Sequence, residues 1–330
     1  MPPTRHDSQT TNHANRVANN RKKDPLTAVT EMVQLEGGSF RMGSTEFYAD
    51  ETPVHERTVA PFGIDVHPVT NAQFADFITA TGYVTVAERP LDPADFPGAD
   101  PAELVPGGLV FTATDGPVDL GDWTQWWRWG AGASWRAPRG PGSTIADIPT
   151  HPVVQVAFED AAAYAAWAGK RLPSEAEFEY AARGGLDGRR FAWGDEENPD
   201  GALMVNRWQG SFPYRNSGAA GFVSTSPVRT FPANGYGLFD MTGNVWEWTT
   251  DYYFPRHQVP GTAPVDAAGR IDLLAPASAE PGSRIPRRVM KGGSHLCSPD
   301  YCLRYRPAAR SPQAEDSSTT HIGFRCARDV

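Results

Sequence analysis

Cysteine is scarce in this 330-residue chain, which contains only Cys297, Cys302 and Cys326. Three cysteines are too few to form a disulfide scaffold in so long a chain. No apolar run reaches the ~20 residues that a membrane-spanning helix needs, so we expect no membrane partner. The polar N-terminus also lacks the apolar core of a secretory signal, and we therefore expect a cytoplasmic protein.

Positive charge is likewise in the minority. The chain has 30 Lys and Arg against 39 Asp and Glu, which gives a formal net charge of −9. No basic stripe stands out, so the electrostatic footprint of a nucleic-acid-binding protein is missing. We therefore expect no nucleic-acid partner.

Glycine, proline and tryptophan are plentiful, with 32, 30 and 10 residues. Frequent turn residues favour long ordered loops over packed helices, and tryptophans anchor such loops to a core. We predict an α+β fold in a single loop-rich domain with little regular secondary structure, residues 31–330. Residues 1–30 have no apolar periodicity and are predicted to form a disordered polar tail.

Three helices are predicted from the spacing of apolar residues and from capping signals. They run from the N-cap Thr70 to Gly82, from about Glu159 to Ala168, and from the N-cap Ser174 to Gly184. The irregular stretch 89–149 lies between the first two and holds five of the ten tryptophans. So many large apolar side chains indicate that it folds onto the core rather than acting as a linker.

The segment around Cys297 and Cys302 holds the strongest chemical signal. Ser-Pro-Asp lies between the cysteines and is typical of a turn, which can bring both sulfurs together. Converging thiols can form a redox disulfide, half of a zinc site or a two-coordinate soft-metal site. Zinc needs four ligands and the other donors are scattered, whereas two thiolates suit Cu(I). Two buried cysteines acting as small apolar residues are an equally good interpretation, and it is the one we apply to Cys326.

The two-cysteine turn resembles the active-site segment of formylglycine-generating enzymes, the sulfatase-modifying factor family. The resemblance rests on Gly-Gly-Ser before the turn and on Arg-Tyr-Arg-Pro-Ala-Ala-Arg-Ser after it. Other stretches resemble the same family, among them 36–44, 52–83, 151–194, 234–248 and 316–326. The implied fold is that of formylglycine-generating enzymes, which is related to C-type-lectin-like folds.

The resemblance implies that Cys297 and Cys302 bind Cu(I) and are the catalytic pair. Ser294 and Trp248 would line the cleft near the substrate cysteine. The implied reaction is a copper-dependent, O2-consuming oxidation of a cysteine to Cα-formylglycine. The substrate would be an unfolded sulfatase polypeptide carrying a Cys-x-Pro-x-Arg motif, and the enzyme would be a monomer.

The resemblance also implies structural Ca²⁺ bound through oxygen-rich loops. The implied ligands of the first site are Asn244 and Glu247, with the carbonyls of Gly243 and Val245. A second site would begin at Asn206 and Arg207 and close near Phe222.

Two departures from the family pattern affect these expectations. Ala220 stands where the second calcium site normally has an Asp, which weakens the case for that site. Ser298 stands where the family usually has a His, and we expect this difference to change the reaction rate rather than the type of reaction.

Other functions make different demands on the sequence. A sulfoxide synthase on the same scaffold needs a His-x-x-x-His-x-Glu iron motif, which the eight histidines never form. A non-catalytic binding module would not need the cysteine pair. A thiol-disulfide switch would need the pair but neither copper nor a protein substrate, so copper stoichiometry in the reduced protein separates these possibilities.

Overall fold

The computed structural model describes residues 29–93, 98, 100, 104–257 and 274–330. The predicted disordered tail, residues 1–30, lies almost wholly outside the described residues. Within them, regular secondary structure is limited to short helices and short strands joined by long ordered loops. No helix in these ranges combines the length and the hydropathy needed to cross a bilayer. The predicted loop-rich α+β domain is confirmed.

All three predicted helices are present. The helices are α1 (Asn71–Thr81), α2 (Phe158–Trp167), α3 (Glu175–Arg183) and the five-residue α4 (Leu274–Ser278), which the sequence did not predict. The Thr70 hydroxyl caps α1 and the Gln73 side chain returns to the Thr70 N–H at 2.9 Å. Gly82 ends the helix in a left-handed conformation with φ of 68°, which glycine adopts without steric cost.

The strands form two small sheets and two hairpins. They are β1 (Met32–Leu35), β2 (Gly38–Met42), β3 (His55–Val59), β4 (Phe62–Asp65), β5 (Gly107–Phe111), β6 (Trp127–Ala131), β7 (Trp246–Tyr252), β8 (Arg287–Lys291), β9 (Arg310–Ala314), β10 (Ile322–Gly323) and β11 (Ala327–Asp329). One sheet has the order β1-β4-β11 and the other β10-β7-β8-β9, and the hairpins are β2-β3 and β5-β6.

The core is divided into three apolar clusters. The largest is centred on Phe74, Tyr164 and Phe324, and α3 packs with β2 and β4 in the second. A third cluster consists of Trp126, Trp208, Phe212 and Leu296. Trp126 and Trp135 are each 1% exposed, so the described part of the stretch 89–149 is anchored to the core through them, whereas Trp123 and Trp129 are 54% and 50% exposed.

A buried ionic network fixes the two strands that flank the cysteine turn. Lys291 ends β8 and pairs with Glu179 of α3 at 2.9 Å, while Arg310 begins β9 and pairs with Glu175 of α3 at 2.7 Å. Lys291 and Arg310 stand opposite each other in the β8–β9 ladder. The loop that carries both cysteines therefore leaves and re-enters the sheet at one clamped position.

Candidate active site

Two glycines let the chain turn sharply as it leaves β8. Gly292 and Gly293 have φ values of 93° and 73°, which L side chains rarely adopt. A Cβ at Gly293 would stand 2.6 Å from the carbonyl oxygen of Arg304. The chain that leaves β8 thus lies directly against the chain that returns toward β9, and only glycine fits at this contact.

The Ser-Pro-Asp turn brings the two cysteines together. The Ser298 carbonyl accepts hydrogen bonds from the N–H groups of Tyr301 at 3.1 Å and Cys302 at 2.7 Å. The sulfurs of Cys297 and Cys302 lie 3.2 Å apart and are not bonded. The hydroxyl of Ser298 is buried and has no hydrogen-bond partner in the described ranges.

The two sulfurs affect each other's ionisation, because a hydrogen bond joins them. Burial opposes ionisation of Cys297, but hydrogen bonds from Cys302 and from the Ser294 N–H outweigh it, so the pKa of Cys297 is lowered. The pKa of Cys302 is raised well above its ordinary value, first by its hydrogen bond to Cys297 and then by burial. These directions make Cys297 the more readily ionised thiol of the pair, and the thiolate is the form that binds soft metals.

The sulfur pair opens onto a cavity of about 340 Å³. Its lining residues are Tyr48, Trp126, Trp127, Phe212, Trp246, Ser294, Leu296, Cys297, Tyr301, Cys302, Arg304, Ser311 and His321. They come from the cysteine loop, from β6 and β7, and from segments far apart in the sequence. The volume falls in the range of ordinary ligand-binding pockets.

Aromatic rings form one wall of the cavity. Tyr301 stacks on Phe212 with ring centroids 4.6 Å apart and planes 2° from parallel. Trp126 meets both rings edge-on, and Trp127 packs against His321 at 4.8 Å. A wall of this kind excludes water from the sulfurs and offers flat apolar surface to a ligand.

The cavity lining also contains polar groups. The guanidinium of Arg304 stacks over the Tyr48 ring at 4.3 Å and donates to the Ser311 hydroxyl at 3.3 Å. The Tyr48 hydroxyl accepts the N–H of Leu303 at 2.9 Å. Burial lowers the pKa of His321 to about 3, so this imidazole is neutral.

The structure brings only one of the two predicted substrate-binding residues to the cavity. Ser294 lines it, and its hydroxyl accepts the Leu296 N–H at 3.2 Å. The structure does not place Trp248 in the cavity lining: its side chain is fully buried, and its indole N–H donates to the Val156 carbonyl at 3.0 Å. Trp246, two residues earlier on β7, lines the cavity instead. Residues two apart share one face of a strand, so the Trp-x-Trp pattern does not tell which indole reaches the cavity.

Sequence reasoning missed most of the cavity wall. Tyr48, Trp127 and Arg304 were not assigned to the site, although each contributes to it. The cluster of tryptophans at 123–129 was the available signal for the aromatic wall. Tyr48 carried no such signal, because it reaches the site only through the tertiary fold.

The first predicted calcium loop has its side-chain oxygens engaged within the protein. Both carboxylate oxygens of Glu247 accept from Arg325, each at 2.8 Å. The side-chain amide of Asn244 accepts the Ser226 N–H at 3.0 Å and donates to the Ser226 carbonyl at 3.2 Å. Within the described residues, no group of three or more His, Cys, Asp or Glu side chains is arranged to hold a metal.

A carboxylate that the sequence analysis overlooked lies beside this loop. Asp240 is 7% exposed, and burial raises its pKa. Its backbone carbonyl accepts from the same Arg325 nitrogen that donates to Glu247, and its charge adds to burial in raising the pKa of the Glu247 carboxyl. Its carboxylate oxygens accept from the Arg229 N–H at 2.9 Å and from the Asn244 amide at 3.4 Å, so Asp240 is a further candidate oxygen donor in this loop but is engaged within the protein, as Asn244 is.

The second predicted calcium site does not fit the described residues. The Asn206 side chain donates to the Ser224 carbonyl at 2.8 Å, and the Arg207 guanidinium pairs with Glu197 at 2.8 Å. The Asn206 carbonyl accepts the Asn244 N–H at 2.9 Å. Phe222 packs edge-on against His151 rather than closing an oxygen cage, and Ala220 adds no carboxylate.

Known proteins resemble the whole chain. A model of the "Sulfatase-modifying factor enzyme 1-like domain" matches residues 17–330. "Formylglycine-generating enzyme" of Mycobacterium tuberculosis is 61% identical over 306 residues, covering 91% of this chain and 98% of that protein. "Inactive C-alpha-formylglycine-generating enzyme 2" of Bos taurus is 40% identical over 301 residues, covering 90% and 87%. Among solved structures, PvdO from Pseudomonas aeruginosa has a TM-score of 0.59 at 27% identity, covering 92% of this chain and 96% of that one.

The relatives include proteins named as active and as inactive, so family membership and catalysis are separate questions. Membership is decided by the extent of the match, which spans almost the whole chain and both flanks of the cysteine turn. This chain belongs to the sulfatase-modifying factor enzyme 1-like family.

Proposed function

We propose that this chain is a formylglycine-generating enzyme, which oxidises a cysteine of a sulfatase polypeptide to Cα-formylglycine. The observation that carries the proposal is the pair of free thiols 3.2 Å apart that lines an aromatic-walled cavity. A relative named for this activity is 61% identical over nearly the full length. A non-catalytic binding module would have no need of a thiol pair that faces its cavity.

The bound metal in this proposal is one Cu(I), held by Cys297 and Cys302. Two close sulfurs are a soft donor set, and Cu(I) accepts low coordination numbers. The described residues provide no third and fourth ligand of the kind that zinc requires. Copper, when bound, supplies the dioxygen chemistry that a thiol lacks.

The protein's own groups bind the substrate, exclude water and handle protons. Cys302 must release its proton before both sulfurs can act as thiolate ligands. The Ser294 N–H lies 3.4 Å from the Cys297 sulfur and stabilises charge on it. In the overall reaction the substrate carbon loses one electron pair while dioxygen takes up two pairs, so a reductant supplies the second pair, and sulfide and water leave.

The substrate in this proposal is an extended segment with a Cys-x-Pro-x-Arg motif. The cavity lining combines aromatic surface with the polar groups of Arg304, Ser311 and Tyr48. Such a mixture of flat apolar surface and hydrogen-bonding groups suits a polypeptide better than a small apolar metabolite. Cytoplasmic location and a monomeric state stay predictions.

We also propose that one Ca²⁺ binds the loop from Asp240 to Glu247 and stabilises it. The support for this is the buried Asp240 carboxylate, whose hydrogen bonds come from two neutral donors, the Arg229 N–H and the Asn244 amide, and whose charge acts on the Glu247 carboxyl. A divalent cation with oxygen ligands would offset the charge of this second carboxylate.

Aldehyde formation tests the proposed function. Reduced, copper-loaded protein is incubated with a Cys-x-Pro-x-Arg peptide under oxygen and with a reductant, and a hydrazide probe then captures the aldehyde. We expect labelling of this peptide and none of the matched peptide with Ser in place of Cys. A thiol-disulfide switch would instead give a Cys297–Cys302 disulfide and no labelled peptide, and that result would reject the proposal.

A further inference from the structure

We propose that Arg304 is the counter-charge of the copper site: its guanidinium stabilises the anionic bis-thiolate complex and so raises the affinity for Cu(I). The inference deepens the proposed function and rests on the copper site at Cys297 and Cys302. It concerns a residue that faces the cavity but supplies no metal ligand.

The charge balance of the cavity requires such a group. Two thiolates around one Cu(I) carry a net negative charge, and a substrate thiolate would add another. Arg304 is the one Lys or Arg side chain among the described residues that line the cavity. The neighbouring imidazole of His321 is neutral because burial lowers its pKa to about 3. In a water-poor cavity an uncompensated anion is costly, so a nearby permanent cation has a large effect on its stability.

The fold holds the guanidinium of Arg304 in place. It lies over the Tyr48 ring at 4.3 Å and donates to the Ser311 hydroxyl at 3.3 Å. The Tyr48 hydroxyl accepts the N–H of Leu303, so the same tyrosine fixes the backbone between Cys302 and Arg304. A charge that is positioned in advance needs no rearrangement when the metal binds.

Asp50 lies beside Arg304 and carries the opposite charge. Its carboxylate lies 3.9 Å from an Arg304 nitrogen, and its other oxygen is buried without a hydrogen-bond partner in the described ranges. The carboxylate partly offsets the field that Arg304 exerts on the sulfurs. Removing it should therefore act in the direction opposite to removing the arginine.

Cu(I) affinity tests the inference without any turnover. Reduced full-length protein competes for Cu(I) with a chromophoric Cu(I) chelator, and wild type is compared with Arg304→Gln, Arg304→Lys and Arg41→Gln. Arg304→Gln should weaken binding by about tenfold or more, because it removes a unit charge that lines the same cavity and favours the ionised form of both cysteines. Arg304→Lys should stay within about threefold of wild type, because it keeps the charge but not the planar stacking. Arg41→Gln removes an equally charged but exposed residue outside the cavity and should change nothing.

A purely structural role for Arg304 predicts another pattern. Lysine would then fail as badly as glutamine, since neither stacks on Tyr48, and that outcome overturns the inference, as does unchanged affinity in Arg304→Gln. If that variant does not fold, Asp50→Asn decides, since it should tighten Cu(I) binding by a few fold, and weaker or equal binding contradicts the inference. Wild-type protein that binds no Cu(I) removes the proposed copper site itself, which distinguishes the two failures.

Discussion

The cysteine turn and the loop from Asp240 to Glu247 share a resemblance to the family's sequence, but the potential ligand atoms of the turn face a cavity and those of the loop face the core. Both follow the family's sequence pattern, and both contain a residue with positive φ, Gly293 in one and Asn244 in the other. In the turn, the sulfurs lie together and face a cavity. In the loop, the carboxylate of Glu247 faces the core and is bound by Arg325. A sequence motif therefore identifies the side chains with potential ligand atoms. The tertiary structure determines whether those atoms face a cavity, where a ligand can bind, or form bonds within the protein.

The largest effect should come from removing a sulfur. Cys297→Ser and Cys302→Ser should each abolish Cu(I) binding and peptide oxidation, because one thiolate and a hydroxyl do not make a soft two-coordinate site. Metal content of the reduced protein and the rate of aldehyde formation measure this. Cys326→Ala is the matched control, since Cys326 is buried in the core and does not line the cavity. One tightly bound Cu(I) in the Cys297→Ser/Cys302→Ser double variant would refute the assignment.

The next largest effect should be a loss of stability when the buried Glu247–Arg325 pair is broken. Glu247→Gln leaves Arg325 buried without its partner and should lower the free energy of unfolding by about 3–5 kcal/mol. Denaturant unfolding in the presence of a chelator measures it, so that calcium does not contribute. Asp187→Asn breaks the exposed pair with Arg41 and should cost less than about 1 kcal/mol. Equal, small losses in both variants would show that Glu247 is not held as we describe.

The two tryptophans of β7 have different environments: Trp246 lines the cavity, whereas Trp248 is buried in the core. Trp246→Phe removes part of the cavity wall and should raise KM for the peptide several-fold. Trp248→Phe loses the hydrogen bond to Val156 and should cost about 1–2 kcal/mol of stability with KM unchanged. Steady-state kinetics and thermal unfolding of the pair give both numbers. The reverse pattern would restore the sequence-based placement of Trp248.

The smallest effect should be that of calcium. A chelator should lower Tm by a few degrees, because a ligand that binds only the folded state stabilises it by mass action. Asp240→Asn should lose this dependence if Asp240 supplies the carboxylate that we propose. An identical melting curve with and without chelator, together with the absence of calcium on elemental analysis, would remove the calcium proposal.

Local features were predictable from sequence and tertiary ones were not. The helices α1 and α3 have the expected ends, because a capping box and a left-handed glycine act within a few residues. The meeting of Cys297 and Cys302 was also predictable, since a turn of only four residues joins them. Tyr48 could not be assigned to the cavity, because its contact with Leu303 joins segments 255 residues apart. The sequence also did not show that Trp248 is buried in the core. A periodicity of two residues identifies the strand face but not what packs against each position on it.

The central claim is that the sulfur pair oxidises a substrate cysteine, and mass spectrometry of the peptide tests it most directly. A Cys-x-Pro-x-Arg peptide is incubated with reduced, copper-loaded protein, oxygen and reductant. The account predicts a mass loss of about 18 units, the change from thiol to aldehyde, and none with the Cys297→Ser protein. A peptide that keeps its mass, while wild-type protein carries its copper and consumes a small-molecule thiol, would contradict it.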